Sequence, residues 1–254
     1  MYKIQALTGT GEWAGYGSNI FFGCKNNCKY CYARASALRF KKISNSTEWE
    51  QMTLNKNEAN AIPRKLDRPF MFPTSHDILS EHIGVVTDYL TRWLSVGNKV
   101  LIVTKPHLEC VKVLCRELES FKSQILFRFT IGTLDERIST FWEPGATLPS
   151  ERTQSLRYTF EKGFATSISA EPMLCSVEKA RDMFYCLESL ITDTIWFGKM
   201  NKISKRVHVS PQDMKYVELI KAQQTDDNIR KLYYMLKLEP KVMWKDSIKA
   251  VLGI

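Results

Sequence analysis

Short apolar runs alternate along the chain with longer segments whose apolar positions recur at helical spacing. Residues 19–22, 69–72, 99–104, 125–131, 164–170 and 194–197 read as buried strands. They are short, mostly apolar and bounded by turn-forming or polar residues. Residues 32–40, 81–96, 107–121, 151–162 and 177–190 read as the helices between them. Such alternation is the pattern of βα units in a parallel sheet, and right-handed crossovers curl six of them into an α/β partial (β/α)6 barrel. Gly97-Asn98 and Gly163 fall where helices should stop, and Ser150 is placed to cap the helix that follows it.

Two stretches break the rhythm. Residues 44–68 are polar and poorly periodic over 25 positions, long for an α/β connection, and are expected to hold irregular helix that covers a site or meets substrate. After Phe197 the chain turns basic and then helical, with Met214, Val217 and Ile220 and later Ile229, Leu232, Met235 and Leu236 at apolar positions. The expected division is a barrel over residues 1–198 and a basic helical C-terminal extension over 199–254 that closes one end of it.

Composition narrows the function classes. A chain of 254 residues that is 44% hydrophobic can bury the core of one ordinary α/β domain. Seven cysteines, an odd number with no apolar leader before them, argue against a secreted disulfide framework and for a reducing compartment, so the cytoplasm is expected. No apolar run approaches the roughly 20 residues that span a bilayer, which excludes a membrane-spanning helix. The net charge is +9, and residues 199–254 carry 12 Lys/Arg against 6 Asp/Glu, with Lys199, Lys202, Lys205 and Arg206 close together. This cluster is either a solvated helical face or a phosphate-contacting patch, and nucleic acid is the commonest anionic partner of such a surface.

The most informative residues are Cys24, Cys28 and Cys31, at C-x3-C-x2-C spacing between an apolar strand and a helix-forming run. The spacing gathers three thiolates in a tight loop and supplies no fourth, which suits a [4Fe-4S] cluster with one iron left open to a small-molecule ligand. The alternative is a tetrahedral zinc site completed by a residue such as His76. Other candidate groups fall at successive strand ends, where parallel β/α proteins place their chemistry. Thr74-Ser75-His76-Asp77 follows the second strand, Lys105 the third, Thr130 and Thr133 end the fourth, Ala170-Glu171-Pro172 the fifth and Gly198-Lys199 the sixth.

With Tyr30 before the third cysteine, the loop reads C-x3-C-x-aromatic-C and resembles the signature of the radical S-adenosylmethionine (SAM) enzymes. That resemblance implies SAM bound at the open iron of a [4Fe-4S] cluster, a one-electron reductant such as flavodoxin or ferredoxin, and cleavage of SAM to a 5'-deoxyadenosyl radical. Thr74-Ser75, Asp77-Ile78, Thr104-Lys105, Phe129-Thr130-Ile131, Trp142-Glu143-Pro144-Gly145 with Pro149, Glu151 and Arg152, and Ala170 with Pro172 resemble the narrower spore photoproduct lyase-like family over roughly residues 15–200. The resemblance implies Ser75, Asp77, Lys105 and Thr130 as SAM contacts, and Tyr30 and Ala170 as lining for the adenosyl moiety.

The chain departs from that family in having Pro73 where the lyase places a hydrogen-donating cysteine, and His76 as an additional residue. Cys175 is the candidate replacement thiol, set against a reading of it as an apolar filler, while Cys110, Cys115 and Cys186 have the spacing of core residues. The expected substrate is a nucleic-acid base or nucleotide. A peptide or small metabolite is the first alternative, and a noncatalytic zinc-stabilised nucleic-acid-binding protein the second.

Overall fold

A computed structural model describes residues 9–254, so the first eight residues of the expected barrel segment lie outside the described residues. A two-residue strand β1 (Tyr16–Gly17) is followed by β2 (Phe21–Phe22), α1 (Tyr32–Arg39), α2 (Ser46–Trp49), β3 (Thr53–Leu54), α3 (Lys56–Ala59) and β4 (Phe70–Phe72). Helix α4 (Ile83–Ser95) leads to β5 (Val100–Thr104), α5 (Leu108–Glu117) to β6 (Ile125–Thr130), and α6 (Glu136–Trp142) with α7 (Pro149–Glu161) to β7 (Ala165–Ala170). Then come α8 (Val177–Leu187), β8 (Ile195–Phe197), α9 (Ile203–Arg206), α10 (Met214–Gln223), α11 (Asp226–Leu236), β9 (Val242–Trp244) and α12 (Asp246–Leu252).

The strands form one curled parallel half-barrel of seven strands in the order β1-β4-β5-β6-β7-β8-β9. The expected βα alternation is present, with two differences. The first barrel strand is Tyr16–Gly17, paired with Phe70 and Met71, whereas Phe21–Phe22 pairs antiparallel with Thr53–Leu54 in a separate ribbon. The seventh strand, Val242–Trp244, comes from the region read as wholly helical and pairs with β8. Ile229, Leu232, Leu236 and Ile248 of that region join the main hydrophobic core.

Period-2 alternation decides what each strand presents. Ile102, Phe127, Phe129, Ile168 and Ala170 point outward into the core shared with the helices. Leu101, Val103 and Leu126 point into the barrel, where they meet Trp13 and Ala14. Helix α7 begins at Pro149 with Leu148 as its N-cap residue, so Ser150 lies inside the first turn and bonds Glu136 Oε1 at 2.8 Å. Proline suits that first position because its missing N–H would be unpaired in any case. Gly97 and Gly163 take positive φ after α4 and α7, as helix stops require. Among the described residues no helix is long and apolar enough to cross a membrane.

Residues 44–68 hold α2, β3 and α3 and brace the cysteine loop. Trp49 is buried against Cys24, Cys31 and α1, its carbonyl accepts the Cys24 N–H at 2.7 Å, and Asn55 N–H donates to Ile20 O at 2.8 Å. Leu232 is fully buried in the common core. Leu232→Ala should therefore lower the unfolding free energy by about 2–5 kcal/mol and shift the whole urea transition of the protein, followed by circular dichroism, without adding a second transition.

Candidate active site

The carboxyl ends of the parallel strands converge on a cavity of about 480 Å³. Cys24, Cys28 and Cys31 all line it, as do Tyr30, Ser75, His76, Asp77, Lys105 and Thr130. The cysteine loop is held by main-chain bonds from both sides. Besides Cys24 N–H to Trp49 O, Lys29 N–H donates to Trp142 O at 2.8 Å and Gly145 N–H to Asn26 O at 3.0 Å. A Cβ on Gly145 would stand 2.2 Å from Lys25 O, so only glycine admits this approach. Cys31 also begins α1, its Sγ accepting the Arg34 N–H at 3.4 Å.

Asp77 is the buried hub of the strand ends. Its carboxylate accepts Asn26 Nδ2 at 2.5 Å, the Ile78 N–H at 2.8 Å, the Lys105 N–H at 3.1 Å and the Thr104 hydroxyl. It thereby joins the cysteine loop to the ends of β4 and β5. Asn19 does similar work, its Oδ1 accepting the N–H groups of Thr74 at 2.8 Å and Ser75 at 2.7 Å while Nδ2 donates to Thr74 Oγ1 at 2.5 Å. Neither Asn19 nor Asn26 stands out in the sequence, since an asparagine acquires such partners only after the loops meet.

A buried ionic group forms the neighbouring wall. Glu143 and Arg152 are each 1% exposed and pair at 2.6 Å, Lys105 Nζ lies 3.7 Å from Glu143 Oε1, and the Tyr30 hydroxyl donates to the same oxygen. Burial opposes ionisation of Glu143, but Arg152 and Lys105 outweigh it and hold the carboxyl below its usual range. Burial likewise opposes the charge on Lys105, yet Cys28, Glu143 and Asp77 hold its pKa above the ordinary lysine value. Lys105 stays an ammonium inside the cavity, 5.8 Å from the Tyr30 ring centroid.

The thiols suit a metal centre in chemistry, and all three line one cavity. Burial pushes the Cys28 thiol up to about 12 and raises Cys24 as well, so binding a metal there must release protons. Asn26 Oδ1 and His76 Nε2, on residues that line the same cavity, are buried without a partner among the described residues. Desolvation lowers His76 to about 4, leaving a neutral imidazole. Among the described residues no three Cys, His, Asp or Glu side chains form a ready-made metal-ligand set. The three cysteines instead share the wall of one cavity.

Two expected site residues stand elsewhere. Ala170 is fully buried in the outer core because alternation along β7 turns it toward the helices, while its neighbours Ser169 and Glu171 line the cavity. Cys175 lies in the same outer core with its Sγ 3.6 Å from Gly132 O, and burial pushes its thiol up to about 12. It is not among the residues that line the cavity. Cys110 and Cys115 are core residues as expected, whereas Cys186 is exposed. Lys199 and Arg206 of the basic cluster do reach the cavity, as does Tyr32.

Arg152→Met strands the Glu143 charge in a dry setting and should cost about 3–5 kcal/mol of stability. Arg152→Met with Glu143→Gln should recover a large share, giving a strong coupling in a double-mutant cycle measured by urea denaturation.

No protein-family model matches the chain. The uncharacterized protein ORF301 of Acidianus two-tailed virus is 23% identical over 215 residues, covering 80% of this chain and 71% of that protein. A spore photoproduct lyase mutant with bound AdoMet and dinucleoside spore photoproduct superposes with a TM-score of 0.56 at 14% identity, over 91% of this chain and 76% of the lyase. Streptococcus suis SuiB bound to S-adenosylmethionine superposes with a TM-score of 0.53 at 12% identity, over 90% of this chain and 50% of SuiB. SuiB bound to precursor peptide SuiA does so at 0.51 over 73% of this chain. The chain thus has the fold of spore photoproduct lyase and spans about half the length of SuiB, whose fold it also matches.

Proposed function

We propose that the protein is a radical SAM enzyme of the spore photoproduct lyase-like kind. The observation that carries this reading is the set Cys24, Cys28 and Cys31, at C-x3-C-x2-C spacing, lining one cavity at the carboxyl ends of a parallel half-barrel. Cys24, Cys28 and Cys31 would hold a [4Fe-4S] cluster, which with SAM and an electron from a donor such as flavodoxin or ferredoxin would supply radical chemistry for hydrogen abstraction from a substrate carbon.

The chain's own residues bind and orient. Lys105 offers a buried ammonium to the SAM carboxylate, Ser75 and Thr130 offer hydroxyls, and Tyr30 supplies an aromatic wall steadied by Glu143. Asp77, already accepting four internal bonds, keeps the cysteine loop against the strand ends. The buried wall excludes water from the reacting centre, the protein's main task when a cofactor carries the chemistry.

Nucleic acid or a nucleotide is the proposed substrate class. Lys199 and Arg206 at the cavity, the basic C-terminal region and the dinucleoside bound by the similarly folded lyase support it. A target base in a duplex must be unstacked to enter. The likeness of fold to SuiB with its precursor peptide favours a peptide substrate as the second reading. His76 Nε2, without a partner among the described residues and on a residue that lines the same cavity as the three cysteines, favours a noncatalytic zinc protein as the third.

Anaerobic reconstitution with iron and sulfide, then dithionite and SAM, tests the assignment. The expected result is 5'-deoxyadenosine from the wild type and none from Cys28→Ala, by chromatography; bound zinc without iron or acid-labile sulfide selects the zinc protein. Affinity for single-stranded oligonucleotide should fall steeply with salt, and Arg206→Gln should reduce the slope of log K against log salt by about 0.7. A flat salt dependence selects the peptide or metabolite reading.

A further inference from the structure

A second cavity, of about 290 Å³, opens at the amino ends of the strands, where Lys99, Ile125 and Ala165 stand. Trp13 lines both this cavity and the cysteine cavity. Into the lower one reaches Arg128, an inward-facing residue of β6 that is 4% exposed. Nothing in the proposed reaction uses it.

A buried guanidinium with five N–H donors demands partners, because an incompletely paired charge is costly away from water. Arg128 has few good ones. Its Nε donates to Ser167 Oγ at 2.8 Å, Nη2 reaches Thr194 Oγ1 only at 3.4 Å and Asp193 Oδ1 at 3.5 Å, and Nη1 has no partner among the described residues. Asp193 is 44% exposed, and its Oδ1 already accepts the Thr194 hydroxyl at 2.6 Å. Trp13 Nε1, on another residue lining this space, is likewise shielded and without a partner among the described residues.

The guanidinium is also fixed in place. Its carbon lies 4.9 Å from the Trp13 ring centroid and 5.5 Å from that of Trp196, while Ser167 holds Nε. Burial lowers the Arg128 pKa to about 10, opposed by Asp193, so it remains a cation at neutral pH. A planar cation held against two indoles, with one nitrogen left without a partner among the described residues, is suited to receive an oxyanion by charge-assisted hydrogen bonds.

We propose that this lower cavity binds a small oxyanion, a carboxylate or a phosphate group, received by Arg128 Nη1 and the Trp13 indole N–H with Lys99 at the rim. The site is separate from the cysteine cavity and independent of the reaction assigned there. Asp193 acts in it as a weak internal competitor that the bound anion displaces toward solvent. Removing Asp193 therefore strengthens binding, a direction opposite to that expected if the aspartate were merely the structural partner of Arg128.

The test is calorimetric titration and thermal unfolding of the full chain with inorganic phosphate and, separately, acetate, each matched in ionic strength with chloride. The expected result is binding and a raised midpoint beyond the chloride control with at least one of them; which one responds identifies phosphate or carboxylate as the recognised group. Arg128→Gln should weaken binding about tenfold or more. Trp13→Phe, which keeps an aromatic ring and removes the N–H, should weaken it less, and Asp193→Asn should tighten it. No response beyond chloride in the wild type overturns the proposal, as does an undiminished response in Arg128→Gln. If Arg128→Gln does not fold, Asp193→Asn and Trp13→Phe decide, and equal affinity in both and in the wild type overturns it.

Discussion

The carboxylate of Glu143 is the constraint on which the cavity depends. It is buried at the end of α6, and the groups that compensate it come from separate parts of the chain: Arg152 from α7, Lys105 from the end of β5 and Tyr30 from the cysteine loop. A carboxylate taken out of water is tolerated only where cations and hydrogen-bond donors surround it. Each donor is therefore tied to a single point, and the cysteine loop is located relative to the barrel by charge as well as by main-chain bonds. Arg152 extends the tie by donating to Thr130 O at 3.1 Å and Thr147 O at 2.8 Å, which joins the end of β6 to the same point.

Strand alternation supplies the space beside this fixed point. The inward positions of β7 are Ala165, Ser167 and Ser169, small side chains facing a wall that elsewhere carries Leu101, Val103 and Leu126. The serine hydroxyls are chemically modest, but the small size of these side chains leaves the middle of the half-barrel open to larger groups. Trp13 and Trp196 occupy part of that room with ring centroids 6.0 Å apart, and two buried cations, Arg128 and Lys245, lie against the Trp13 face at 4.9 Å and 4.2 Å. The barrel thus carries its cations on aromatic surfaces as well as on carboxylates.

Much of this was legible in the sequence, and the limits follow from physical range. Local features are readable: the apolar runs of β4–β8, the helix stops at Gly97 and Gly163, and the cysteine spacing all depend on neighbours a few residues away. The edge strand β1 was not, because Tyr16–Gly17 is too short to show a period and the adjacent Phe21–Phe22 is the stronger apolar signal. Strand β9 was hidden for a similar reason, being three residues between two helical stretches. At the site, the cysteines and the residues following each strand could be named, but facing could not: Ala170 and Ser169 differ only in parity along β7. The Glu143 group was visible as residues and not as a network, since Tyr30 and its acceptor stand 113 positions apart.

The two ends of the described chain meet at one wall of the cavity. Gly9 N–H donates to Asp246 Oδ2 at 3.1 Å, Glu12 pairs with Lys245 at 2.5 Å and with Lys249 at 3.1 Å, and Lys245 also donates to Gly9 O. Gly9 and Thr10 border the space into which the three cysteines face. Chains emerge from the ribosome with the earliest residues first, so the cysteine loop is synthesised long before the helix that fastens this wall. Until α12 arrives, the Gly9–Glu12 side of the thiol chamber lacks the Lys245, Asp246 and Lys249 contacts that fasten it. Access to the cysteines before α12 forms and access afterwards are therefore physically different, the first past an unfastened wall and the second past one tied by ion pairs.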